Sequence, residues 1–136
     1  MMISALFLLV STLAAPGIGD VTLNLDPGPG NPRNSEGDFA TLKDGRVLFV
    51  YTQFVAGGGD HDAARLMSRS SDDGGKTWST EDQLVVDNEG GMNVMSVSLL
   101  RLQSGDLALC YLRKNSKSDC RLHMRRSSDD GATWGD

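Results

Sequence analysis

The sequence predicts an all-β chain made of repeated four-stranded antiparallel sheets, the blades of a β-propeller. Three observations predict it. The pattern S-x-D-x-G-x-T-W occurs twice, at Ser71–Trp78 and Ser127–Trp134, 56 residues apart (127 − 71). That spacing is close to the ~40–50-residue period of propeller blades. The likeness also runs backwards: Ala64–Trp78 resembles Cys120–Trp134, and Thr41–Thr52 resembles Arg101–Leu112. Finally, no stretch beyond residue 19 carries a helical period with caps.

The elements follow in order. Ile3–Ala15 is apolar, broken only by small hydroxyl residues. It is too short to span a bilayer comfortably and fits the apolar core of a signal peptide. Gly17 and Gly19 suit cleavage before Asp20, so residues 1–19 are expected to be removed on export to a secreted or periplasmic location, with no stable membrane insertion. The first blade is expected over about 38–86. Asp44-Gly45 marks its first hairpin turn, Arg46–Tyr51 a short apolar strand, "VAGGGDHDAA" its second turn, and the first S-x-D-x-G-x-T-W its third. The second blade is expected over about 92–136, with Ser104-Gly105, Asp106–Tyr111, "RKNSKSDC" and the second box in the same order. As written, it lacks a fourth strand. Two blades cannot close a ring and protect their edges. The expectation is an N-terminal part of a longer propeller whose remaining blades are missing.

Net charge is −5 and the pI near 4.9. Lys and Arg form no long run, which argues against nucleic-acid binding, since that needs a basic stripe to neutralise phosphates. An anion site would have to be local and built from a few arginines. Cys110 and Cys120 flank an expected hairpin loop. They are either a disulfide, which export permits, or two small buried hydrophobes. No Cys/His spacing suggests a metal, and no cofactor is expected.

The repeated box reads first as structure. Asp73 and Asp129 are placed to accept backbone N–H groups of their own turn. Ser71 and Ser127 add hydroxyl bonds, Thr77 and Thr133 belong to the same turn, and Gly75 and Gly131 are expected at φ > 0. Trp78 and Trp134 are expected to pack between neighbouring sheets, each stabilising by at most about 4–6 kcal/mol if fully buried.

These residues carry a resemblance. S-x-D-x-G-x-T-W is the Asp-box, or bacterial neuraminidase repeat, and two copies at blade spacing make the chain similar to sialidase-like six-bladed β-propellers. The likeness runs from about Asn31 to Trp134. It implies an exported glycoside hydrolase, an exo-glycosidase acting on a glycan with exo-α-sialidase among the activities it covers, here truncated and without the later Tyr nucleophile, its Glu partner and two further arginines. The alternative is a non-catalytic Asp-box propeller that binds glycans or proteins. Tyr51 and Tyr111 recur at one blade position and read as core.

In an up-and-down sheet the first and third turns share one end. The resemblance puts function at the other, where the loops are polar and unlike one another. Those loops supply Arg33, Glu36 and Asp38, then Asp60, His61 and Asp62, then Glu89 and Asn93, then Arg113. The family places its general acid/base Asp in the loop before the first Asp-box strand, which implies Asp60, with Asp62 beside it. Such a residue protonates the leaving glycosidic oxygen and later activates water. The others are expected to contact substrate. The family's first carboxylate-clamping arginine opens the first blade in an Arg-Ile-Pro motif. Ser35-Glu36-Gly37 stands there instead, with Arg33 two residues off. Glu36 and Asp38 suit sugar hydroxyls or a neutral glycan.

Overall fold

The computed structural model describes residues 19–135. The expected signal peptide lies outside the described residues except for Gly19. The described chain forms seven strands: β1 Arg33–Thr41, β2 Val47–Ala56, β3 Ala63–Ser71, β4 Gln83–Val86, β5 Asn93–Arg101, β6 Leu107–Lys114 and β7 Cys120–Ser127. They make two antiparallel sheets, ordered β1-β2-β3-β4 and β5-β6-β7. All connections within a sheet join neighbouring strands, as the sequence predicts for blades.

The hairpins form where the Gly dipeptides stand. Gly45 and Gly105 take φ of 91° and 88°. Their N–H groups donate to Leu42 O at 3.0 Å and Leu102 O at 2.9 Å. β2 reads VLFVYTQFVA, apolar on both faces, and is mostly buried because both faces are covered. Its even positions, Leu48 and Val50, join Leu66, Val94, Leu107 and Leu109 in one buried cluster across the seam between the sheets. The odd positions, Phe49 and Tyr51, look the other way and stack on each other, with Phe39 stacked on Phe49.

Polar groups cross the seam too. Asp38 Oδ2 accepts the Leu99 N–H at 2.8 Å. Asp130 accepts the Lys43 N–H at 2.5 Å and is paired with Arg101, whose Nη2 donates to Thr41 O at 2.8 Å. These bonds put the second Asp-box beside the first hairpin turn of the other sheet.

Three details differ from the sequence reading. β1 starts at Arg33 rather than near residue 38, because a bulge between Ser35 and Gly37 lets the polar run 33–36 keep pairing with β2. Arg113 and Lys114 end β6 rather than forming the loop after it. Cys110 pairs with Met124 and Cys120 with Lys114, and both thiols are free. Four residues of ladder, roughly 13 Å, separate them, so they do not form a bridge.

Candidate functional site

The Asp-boxes form the turns their residues dictate. Ser71 Oγ accepts the Gly75 N–H at 2.8 Å and donates to Asp73 Oδ1 at 2.8 Å. Asp73 Oδ1 also accepts the N–H groups of Lys76 at 3.0 Å and Thr77 at 2.8 Å, and Oδ2 accepts the Thr77 hydroxyl at 2.7 Å. The second box repeats most of the set: Gly131 N–H to Ser127 Oγ at 2.7 Å, Ser127 Oγ to Asp129 at 2.7 Å, and Thr133 N–H to Asp129 at 2.9 Å, while the Ala132 N–H donates to the Asp129 carbonyl at 3.4 Å instead of the carboxylate. Gly75 and Gly131 sit at φ 89° and 90°, as expected. Each carboxylate is pulled down to about 2, Asp73 by the Thr77 N–H first and Asp129 by the Thr133 hydroxyl first. With its lone pairs committed to its own turn, neither is free for catalysis. No group of three or more metal-ligating side chains occurs among the described residues.

At the opposite end, all four polar segments meet. β1 brings Arg33, the β2–β3 loop brings Asp60, and the β5–β6 pair brings Asn93 and Lys114. Arg33 Nη1 pairs with Asp60 Oδ1 at 2.6 Å and donates to Gly58 O at 3.1 Å. Its guanidinium lies over the Phe54 ring, 4.5 Å from the centroid. Lys114 Nζ donates to Asp60 O at 3.1 Å. Arg33 holds the Asp60 carboxyl below its ordinary range, with Lys114 and His61 acting in the same direction.

Asp62 closes the loop on itself. Its Oδ2 accepts the Gly59 N–H at 2.7 Å and lies where a side chain on Gly57 would stand. His61 is exposed on the same loop. Glu36 is exposed at the β1 bulge, its carboxylate accepting the Ser35 hydroxyl at 2.9 Å.

Several candidates have other occupations. Asn93 is completely buried, and its Nδ2 donates to Asp60 O at 3.1 Å and Asp62 O at 2.9 Å. It clamps the loop instead of touching a ligand. Asp38 is spent on the seam. Glu89 accepts from Arg125 Nη2 at 2.7 Å and from the Tyr111 hydroxyl. Arg113 is half-buried, with its Nε enclosed. All four were expected at the ligand; Asn93, Asp38 and Glu89 are instead committed to partners within the chain.

Tyr51 and Tyr111 are 2 % and 1 % exposed, so both are core, as their recurrence suggested. Each stands by an arginine and a carboxylate: Tyr111 by Arg125 and Glu89, Tyr51 by Arg69 and Asp82. Tyr51 lies near its pair without a hydrogen bond of good geometry. Burial first, and the adjacent carboxylate second, push both phenols up.

Sequence reasoning missed Thr52 and Ser96. Thr52 is buried mid-strand and carries no signal. Ser96 stands 60 residues after Glu36 (96 − 36), the same offset that relates Tyr51 to Tyr111, and that register could have found it.

A BNR repeat-like domain profile matches residues 30–136, most of the chain. The chain belongs to the BNR repeat-like family. For this BNR repeat-like chain no curated protein gives a match. Among solved structures, it is similar to a protein of unknown function from Dyadobacter fermentans, at 18 % identity and a TM-score of 0.68. The match covers 81 % of this chain and 36 % of that one. At that identity the likeness concerns the fold, and the chain spans about a third of that protein's length.

Proposed function

We propose that this chain belongs to a carbohydrate-binding Asp-box propeller, and that its loop end holds sugar hydroxyls without cleaving a glycosidic bond. The Arg33–Asp60 ion pair carries this reading. A glycosidase acid must be protonated near neutral pH, which requires its pKa to be raised. Arg33 moves Asp60 the other way. Asp62 is committed to its loop, and the two tyrosines are too buried to reach a sugar.

The second reading is an exported glycoside hydrolase. What favours it is that Asp60 lies in the loop ahead of the first Asp-box strand with its side chain 64 % exposed. With Arg33 turned onto a substrate, Asp60 would be free to take a proton. Under either reading, further blades complete the propeller. Support comes from the face of the second sheet that carries Leu100, Leu122 and Met124, all exposed. Export belongs to the same proposal, and the mass of the protein recovered from culture medium tests it.

Calorimetric titration with a panel of neutral and sialylated glycans, alongside turnover of aryl glycosides, separates the readings. Binding with no turnover above an Asp60→Asn control is the expected result. Turnover that Asp60→Asn abolishes would establish the hydrolase instead.

A further inference from the structure

Glu36 and Ser96 are two non-glycine residues with positive φ, at 25° and 60°. They occupy the same place in the two repeats, in the first strand of each sheet. Each sits in a break of ladder register, between Ser35 and Gly37 and between Met95 and Ser98. A bulge re-aims a side chain out of the strand's alternation. Strain of this kind persists only where the surroundings hold it.

One buried side chain bonds both bulges. Thr52 is completely buried. Its Oγ1 donates to Glu36 O at 3.4 Å and accepts the Ser96 N–H at 3.3 Å. One hydroxyl thus bridges both bulges across the seam. The Glu36 carboxylate is exposed, and Ser96 is half-exposed.

We propose that Thr52 is a positioning residue that sets Glu36 and Ser96 as one ledge accepting the hydroxyls of a neutral sugar. The ledge rests on the glycan-binding reading above. A carboxylate can accept two hydroxyl hydrogens, and a serine can donate or accept one. The negative charge of Glu36 selects against an acidic sugar brought to the same place.

The test uses the full chain. Amide exchange is followed by NMR, and binding is titrated with lactose, chitobiose and 3′-sialyllactose. Thr52→Val is expected to speed Ser96 amide exchange about tenfold, as loss of one hydrogen bond does, while leaving Leu66 in β3 unchanged. Thr52→Ser should restore it. Unchanged Ser96 exchange in Thr52→Val overturns the assignment. Ser96→Gly supplies an independent readout should Thr52→Val not fold. It relieves the positive φ, so it should raise the melting temperature while weakening neutral-sugar binding about tenfold. A lower melting temperature, or intact binding, overturns the ledge. If wild type binds none of the three sugars, the glycan reading and the ledge's ligand both fall. The role of Thr52 is still decided by exchange alone.

Discussion

The two Asp-boxes share their Ser, Asp, Gly, Thr and Trp and the bonds that Ser and Asp make to the turn, yet they do different work. The second box docks on the other sheet. A side chain on Gly131 would meet Leu48 at 2.8 Å, and Asp130 bonds Lys43 and Arg101. Trp134 packs against the buried seam. The first box faces away. Gly74 stands where Asp130 does, open space surrounds it, and Trp78 rests on Phe39 and Phe49 and donates to Thr22 Oγ1 at 3.3 Å. Both indoles are half-buried. Trp134 therefore joins the two sheets, and Trp78 lies on the outer face of the first. The local turn is a self-sufficient unit, and its neighbours decide whether it also serves as a clasp.

The largest expected break of this comparison is Gly131→Ala against Gly75→Ala. Both place a side chain at positive φ, a cost of about 1–2 kcal/mol. Gly131→Ala also drives a methyl into Leu48, adding roughly 1–3 kcal/mol. Chemical denaturation should rank Gly131→Ala as the more damaging. Equal losses would mean that the second box is not docked.

Next comes Asp130→Gly, which matches Gly74, suits the φ of 62° and removes the bonds to Lys43 and Arg101. The melting temperature should fall by roughly 3–6 °C, with no counterpart for any small residue placed at Gly74 that tolerates positive φ. A third test sharpens what the boxes share. Asp73 and Asp129 have folded pKa values near 2, below the unfolded carboxylate value. Their contribution is therefore present above about pH 4 and is lost as pH falls toward 2. Asp73→Asn should flatten part of the acid dependence of the melting temperature across that window, and Asp129→Asn an equal part. The smallest effect belongs to Trp78→Phe. It keeps the ring on Phe49 and loses the Thr22 bond, so amide exchange in residues 20–25 should rise while the melting temperature barely moves.

The far end of the sheets obeys another logic. There the sequence marked loops that the structure brings together, but not what each side chain bonds. Asp60 and Arg33 were both legible as polar loop residues, yet their pairing joins positions 27 apart. Asn93 looked like a ligand contact because it lies in a polar, Gly-rich inter-blade segment at the end opposite the Asp-boxes. Its partners, the carbonyls of Asp60 and Asp62, come from the other sheet. Asp38 and Glu89 misled for the same reason.

What the sequence by itself determined is whatever closes within a few residues. Ser71, Asp73, Gly75 and Thr77 reach one another across two to four positions, so the pattern dictates the turn wherever it falls. Asp44-Gly45 and Ser104-Gly105 likewise dictate their hairpins, and the short apolar runs that follow them dictate the strands. Tertiary structure alone decided which polar side chains are tied up inside the packed sheets and which keep contact with solvent. Packing one sheet on another brings backbone N–H groups, carbonyls and guanidinium groups from distant positions to the same side chains. Asp38, Asn93 and Glu89 then satisfy those buried or charged groups, and Asp60 and Glu36 are left facing solvent.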